Sequence, residues 1–350
     1  MVDRHFLNIV MLVEIALLVL AVAVFFAHGL WLFLNHRRVM RLTETARQSL
    51  ARLVTRGTIN LEDIELLRQL RHDVQVTVFL ETSRNLTGSG KERLRFVAHE
   101  VLLIERARKL CESRLWTRRL RGERLLSRMD VADPIVVKLL SDENAAVRAQ
   151  AAEWAAAQPS PPIIATMLTM LADPATQARF AVQDALLRMG SIVTEPLAAF
   201  LETHTGLPAE SGLRVAGAIG GSRFLLAANR LSANENVGVR VAATNVLAAI
   251  GDVSSADRLA TLLKDPDSGV RAAAARGLGR MQHWQSGSQL AECLRDSSWQ
   301  VRREAGLALR AIGAPGALFL RRAIKGDDRF ASDMAQQVLD LPEAAATAAG

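Results

Sequence analysis

The chain is predicted to be all-α: a single N-terminal transmembrane helix followed by a right-handed α-α superhelix, an α-solenoid of stacked helix pairs. Three observations carry this expectation. Residues 6–34 form a nearly unbroken apolar run, a helical pattern repeats every 30 or 31 residues over the C-terminal two-thirds, and nothing after residue 35 alternates as a half-buried strand does. Composition points the same way. Half of the 350 residues are hydrophobic, yet Tyr is absent and only 5 Trp and 11 Phe occur, so Ala and Leu supply most of the apolar surface and favour closely packed helices over sheets.

The first element is the apolar run FLNIVMLVEIALLVLAVAVFFAHGLWLFL, residues 6–34. At about 1.5 Å per residue it exceeds a hydrocarbon core of roughly 30 Å, so it spans with tilt or with its ends among the headgroups. Arg4 stands alone on its N-terminal side, beside Asp3, whereas Arg37, Arg38, Arg41, Arg47, Arg52 and Arg56 follow it. The positive-inside rule then puts the N-terminus outside and the solenoid in the cytoplasm, as a single-pass protein of the inner (cytoplasmic) membrane. Ala21-Val22-Ala23 offers small residues for signal-peptide cleavage, but the apolar run continues for eleven residues beyond and a basic segment follows. Glu14 lies within the span, where a charge costs about 2.5–3.5 kcal/mol at the centre; either it sits near the outer interface or it contacts a partner helix. His28 and Trp31 read as interfacial residues.

Residues 1–35 are thus the anchor and 36–59 a basic juxtamembrane helix, with Leu42, Ala46, Leu50, Leu53 and Val54 on one side, serving as a connector or lying on anionic headgroups. Residues 60–115 read as a helical extension or degenerate repeats, with helices expected over 61–82 and 91–113 from the spacing of Leu, Ile and Val. Between Arg37 and Asp130 there are 21 Lys+Arg against 12 Asp+Glu; from Val131 onward the count is 21 against 22. The basic surplus is therefore membrane-proximal.

The repeat occupies residues 116–342, before a frayed tail at 343–350. An Asp, four intervening positions, then an apolar residue and Arg recur at Asp142…Arg148, Asp265…Arg271 and Asp296…Arg302. Asp173…Arg179 and Asn234…Arg240 are one-residue variants. A Gly often stands eleven residues after the Arg, at 190, 220, 251 and 313, where a helix can end. Gly220 places Ala209 at the Arg position of a degenerate unit, so the equivalent positions are 148, 179, 209, 240, 271 and 302. Each unit reads as two helices, the first (163–171 or 256–263, for example) ending at an Asp or Asn that caps the second. One such hairpin buries too little apolar surface to stand alone, so stacking supplies the core. Upstream, residues 116–129 read as one more second helix with Arg119 at the repeat position; downstream, Asp327…Asp333 keeps the spacing without the Arg, as in a terminal cap.

The Asp-x4-Val-Arg-x2-Ala-Ala pattern resembles HEAT repeats, particularly the short HEAT-like type found in phycobilisome lyases. The resemblance implies an Asp–Arg ladder along the stack, carried here by Asp142, Arg148, Asp173, Arg179, Arg240, Asp265, Arg271, Asp296 and Arg302 and interrupted at Thr203, Pro208 and Ala209. It also implies a concave face lined by second helices, where Gln150, Glu153, Gln183, Asn245, Arg276, Arg303 and Glu304 are candidates for binding proteins. Trp284, in an atypical linker beside His283, and Trp299, in an inter-helix turn, are candidate anchors; Trp154 is expected in the core.

Catalytic signals are few. Thr87-Gly88-Ser89-Gly90-Lys91 resembles a phosphate-binding loop, but Asn85 and Glu92 stand where Gly and Ser/Thr belong and no strand precedes it. The seven His do not cluster, and His99-Glu100 is a lone pair where HEAT-type hydroxylases carry several. Cys111 and Cys293 lack ligand or disulfide spacing. No cofactor or metal is expected, nor is nucleic acid, since the repeats carry no basic stripe. The expectation is a membrane-tethered cytoplasmic scaffold binding membrane-associated protein partners, not an enzyme. Its plan resembles membrane-anchored bacterial HEAT proteins that accompany exopolysaccharide glycosyltransferases. The alternative is a lyase- or hydroxylase-like HEAT enzyme handling a cofactor.

Overall fold

The computed structural model describes residues 4–56, 60–84 and 86–342, apart from the side chains of 4–16, 32, 36 and 56; the expected tail at 343–350 and any contact of Glu14 lie outside it. Every regular element among these residues is a helix, and contacts divide the chain into Met1–Asp133 and Pro134–Gly350.

In the first unit, the expected anchor and the expected juxtamembrane segment are one continuous helix, α1 (Arg4–Arg56). It is followed by α2 (Leu61–Gln69), α3 (His72–Ser83), α4 (Ser89–Glu100), α5 (Leu103–Cys111) and α6 (Trp116–Arg128). Two expected helices are broken. The first, over 61–82, stops at Leu70, whose extended backbone turns the chain before α3, and Gln75 seals the break by donating to the Leu67 carbonyl at 2.6 Å. The second, over 91–113, stops at Leu102, held at φ 57° in the left-handed region. Ser89 and Gly90, ahead of the helix expected from residue 91, join Lys91 in the first turn of α4 behind Gly88. Among the described residues α1 is the one helix long and apolar enough to cross a membrane; its apolar window has a mean hydropathy of 2.5 and no buried residue. Farther along, Ala46, Leu50, Leu53 and Val54 are buried against α2, α3 and α4. That apolar side therefore packs on protein instead of lying on headgroups. Arg52 grips Asp63 at 2.6 Å and Arg47 grips Glu81 at 2.6 Å from the same stretch.

The second unit is a run of helix pairs: α7 (Ile135–Leu140) with α8 (Ala145–Ala155), α9 (Pro161–Thr169) with α10 (Thr176–Met189), α11 (Thr194–Thr203) with α12 (Gly206–Ile219), α13 (Leu225–Leu231) with α14 (Val237–Ile250), α15 (Val253–Leu262) with α16 (Ser268–Arg280), α17 (Gly287–Cys293) with α18 (Trp299–Ala311), and α19 (Ala314–Ile324) with α20 (Arg329–Asp340). Even-numbered helices pack on one another from α8 to α20, and the odd-numbered helices form a second layer in which α7 to α15 pack in succession and α17 packs on α19. The core lies between the layers. Ala151, Ala152, Ala243, Ala274, Ala275 and Ala305 are buried there, with Val147, Val239, Val270 and Val301 one residue before the Arg position or its equivalent.

Small residues let the second helices approach closely. A Cβ on Gly277 would come within 2.7 Å of the Ala248 methyl, and one on Gly279 within 2.7 Å of the Ala308 backbone. The turns repeat as well. Gly190, Gly220, Gly251 and Gly313 all have positive φ, between 66° and 84°, a conformation that costs a side-chain-bearing residue about 1–2 kcal/mol. Gln282 stands at the same register, eleven after Arg271, and adopts φ 49° without being glycine; Asp130, eleven after Arg119, adopts φ 53°.

Candidate functional site

Five of the second helices, α8, α10, α14, α16 and α18, open on the same polar joint. The rung residue, two before the N-cap, turns its side-chain oxygen back to accept from the N-cap N–H: Asp142 from Asn144 at 2.9 Å, Asp173 from Ala175 at 2.8 Å, Asn234 from Asn236 at 2.9 Å, Asp265 from Asp267 at 2.8 Å and Asp296 from Ser298 at 2.8 Å. The Arg six residues later donates from Nη1 to the carbonyl of that same residue, as Arg148 does to Asp142 at 2.7 Å and Arg271 to Asp265 at 2.8 Å.

Three arginines also reach forward 25 residues to the next unit. Arg148 holds Asp173 through Nε and Nη2 at 2.6 and 2.8 Å, Arg240 holds Asp265 at 2.9 and 3.0 Å, and Arg271 holds Asp296 at 2.7 and 2.8 Å. Two parallel N–H···O bonds make this the stronger and more directional form of ion pair. Burial pushes the Asp173 carboxyl up, but the Arg148 guanidinium, the Ala175 N–H and the nearby positive charges outweigh it and hold the group below the ordinary carboxylate range. Asp296 is held low in the same way by Arg271 and the Ser298 N–H.

Arg179 and Arg302 take part differently. Arg179 donates to the Asp173 carbonyl at 2.5 Å, but Thr203 and Ala209 stand where the next rung's Asp and Arg would be. Arg302 donates to the Asp296 carbonyl at 2.7 Å and meets no carboxylate among the described residues. The register expected at Asp327…Asp333 is one residue out, because α20 starts at Arg329 behind its N-cap Asp328. Gly326 therefore occupies the rung position. Arg119 repeats the joint in the first unit, donating to the Ser113 and Arg114 carbonyls at 3.0 Å each.

The candidate binding residues separate into two groups. Gln183 is buried in α10, and Glu304 is only 6% exposed, held by Arg276 at 3.2 Å and Arg303 at 3.0 Å; both are correct as second-helix residues but not as free surface. Gln150 pairs with Glu153 at 2.9 Å on α8, and Asn245 is exposed on α14. Trp284 (63% exposed) begins the turn before α17. Trp299 (56%) is the first residue of α18 and not part of the turn, with the Arg303 guanidinium 6.0 Å from its ring centre. Trp154 is buried.

Ile192 and Val253 were not singled out in the sequence. Both are exposed and stand thirteen residues after Arg179 and Arg240, the register that Trp284 holds after Arg271. The three are exposed apolar residues near the starts of first helices, with the exposed Ser222 at the same register of the unit between Ile192 and Val253. Aligning the units beyond the Arg would have found them.

Chemistry has less to work with. No group of three or more His, Cys, Asp or Glu among the described residues is placed to hold a metal. His99 faces Glu105 at 3.4 Å. Burial pushes the Cys111 thiol up to about 12 and the Cys293 thiol to about 11, so both are protonated, unreactive core residues at neutral pH.

Comparison with known proteins agrees with this geometry. The family described as HEAT repeats matches residues 224–310 and 256–340. Among solved structures, the chain is similar to Kap95p in its complex with RanGDP (10% identity, 79% of this chain and 48% of that one, TM-score 0.51). It is similar to a Kap121p mutant as well (11% identity, 87% and 46%, TM-score 0.52). It spans about half the length of these proteins. The complex of CpcE and CpcF of phycocyanin lyase from Nostoc sp. PCC7120 is more distant in shape (17% identity, 59% and 92%, TM-score 0.36). No curated protein matches the chain. Residues 224–340 are HEAT repeats, and the described residues are all-helical, with the fold of a HEAT-repeat solenoid.

Proposed function

We propose that the protein is a membrane-tethered scaffold, binding rather than catalytic, whose HEAT stack recruits or positions partner proteins at the cytoplasmic face of the inner membrane. The observation that carries this reading is the pairing of two surfaces that water does not favour. One is the apolar window of α1, with nothing packed on it; the other is the recurrence of exposed apolar residues, Ile192, Val253 and Trp284, at one register of the stack. The first suits lipid and the second suits protein. Arg37, Arg38 and Arg41, all exposed just after the apolar window, favour a cytoplasmic stack.

Tethering raises the effective concentration of any partner in the same membrane, so modest contact area suffices. The resemblance to membrane-anchored HEAT proteins makes a membrane glycosyltransferase complex for exopolysaccharide the partner class to look for first. Crosslinking in native membranes followed by mild-detergent purification tests the reading. A defined protein should co-purify with the wild type and be lost on Trp284→Ala with Val253→Ser. Recovery of the chain alone under all conditions, or in the soluble fraction, would count against it.

A further inference from the structure

The ladder stops at Arg302 with half of its hydrogen-bonding pattern unused. Its Nη1 makes the usual bonds to the Asp296 and Ser297 carbonyls, at 2.7 and 3.1 Å. Its Nε is buried and meets no acceptor among the described residues, whereas the same atom of Arg148, Arg240 and Arg271 holds an aspartate of the following unit. The one-residue slip before α20 is the reason: Gly326 has no side chain to offer, and Asp328 spends its carboxylate on the Ala331 N–H at 2.9 Å. A buried charged donor without an acceptor is a cost that a ligand can relieve.

The surroundings describe that ligand. The Arg302 guanidinium lies 5.0 Å from the ring centre of Phe330, which is 66% exposed, and Trp299 opens the neighbouring helix. A cavity of about 250 Å³, lined in part by Arg295, Arg322, Phe319 and Gly326, adjoins the vacant rung position. Neither Arg295 nor Arg322 has a salt-bridge partner among the described residues. Residues 295–329 carry eight Lys+Arg against four Asp+Glu, whereas 131–294 carry 13 against 15. That stretch is locally basic, while the rest of α20 adds Asp333 and Asp340, and two aromatic rings, Trp299 and Phe330, are displayed beside it.

Deepening the scaffold reading, on which it rests, we propose that the C-terminal end of the solenoid docks an acidic segment of a partner protein. One carboxylate completes the rung on Nε and Nη2 of Arg302, and apolar neighbours in the segment pack on Trp299 and Phe330. The three filled rungs favour a carboxylate over a phosphate, because each uses a planar two-oxygen acceptor on the same guanidinium edge.

The test uses the full chain in lipid nanodiscs and a fluorescein-labelled peptide with two Asp and two Leu, alongside its Asn counterpart, followed by anisotropy near physiological salt. The Asp peptide should bind at least about tenfold more tightly, the discrimination of one charge-assisted pair. Arg302→Lys keeps the charge but loses the two-point grip, and Gly326→Asp fills the rung from within; each should remove that preference. Thermal melts of both variants confirm folding, and Arg302→Lys serves alone if Gly326→Asp misfolds. Equal binding of the Asp and Asn peptides, or a preference surviving in a folded Gly326→Asp chain, would overturn the proposal. So would displacement of the peptide by a mixed-sequence oligonucleotide at lower concentration than by unlabelled peptide. A partner captured from membranes equally by wild type and Gly326→Asp would sink this site while leaving the scaffold standing.

Discussion

Between Arg240 and Asp296 the stack is tied at every step, whereas between Arg179 and Arg240 the ladder is missing and the helices stack all the same. In the tied stretch α14, α16 and α18 meet through Ala and Gly, and two bidentate pairs bridge consecutive units. In the gap, Ala209 is wholly buried where an Arg would sit, and the Thr203 hydroxyl bonds back to the Phe200 carbonyl at 3.2 Å. Leu197, Leu201 and Leu213 fill the core there, His204 stacks on Phe200 with ring centres 3.8 Å apart, and Arg230 donates to the Leu201 carbonyl at 2.6 Å. Apolar burial therefore holds the stack in both stretches, and the rungs add a directional link between units. A rung missing on both sides costs little; a rung missing on one side leaves a desolvated charge.

The largest effect expected follows from that asymmetry. Arg271→Ala strands the Asp296 carboxylate and should cost about 3–5 kcal/mol, the range for breaking a buried pair. Asp296→Asn added to it reproduces the Ala209–Asn234 rung of the gap and should recover more than half of the loss. Arg179→Ala removes only one charged hydrogen bond and should cost about 1.5 kcal/mol. Denaturant melts followed by helical circular dichroism, with hydrogen exchange to localise the change, would measure all three. Equal losses for Arg271→Ala and Arg179→Ala would break the comparison.

Packing offers a second contrast of smaller size. Gly279→Val drives a branched side chain into the Ala308 backbone and should destabilise by about 1–3 kcal/mol. Gly217, on α12 beside the gap, has nothing nearer than 3.6 Å to an added Cβ. Gly217→Ala should therefore stabilise, by up to about 1 kcal/mol from helix propensity. A loss of stability at Gly217 would show that the gap is as tightly packed as the tied stretch.

Gln282 tests the turns. Its left-handed backbone costs about 1–2 kcal/mol where its equivalents are glycine, and its side chain recovers part of that by donating to the Ala311 carbonyl at 3.0 Å. Gln282→Gly should raise stability by about 0.5–1 kcal/mol in the same melts. A loss would mean that the hydrogen bond outweighs the strain.

Regularity decided what could be read from the residues. The repeat period, the Gly turns and the Asp–Arg spacing are local patterns, so the positions of α8 through α18 followed from them. The breaks at Leu70 and Leu102 carry no Gly or Pro, and the slip before α20 comes from a short linker that the persistence of Asp327 conceals. Candidate surface residues were harder. A polar residue on a second helix faces either solvent or the neighbouring unit, and only coordinates separate Asn245, which is exposed, from Gln183 and Glu304, which are not.

The smallest effect concerns acid. Asp173 and Asp296 titrate below the ordinary carboxylate range in the folded chain, so the folded state holds fewer protons than the unfolded state as pH falls. Their contribution is complete above the unfolded value of about 3.9 and is lost as pH drops through the lower folded values. Stability should thus be insensitive to these groups between pH 6 and 8 and decline below about pH 4. The gap has no rung carboxylate to lose, because Thr203 stands there. Hydrogen exchange read unit by unit as pH is lowered below about 4 should therefore show α10 and α18, which follow the titrating rungs, opening before α12. Opening of α12 first would mean that acid acts on the core and not on the ladder.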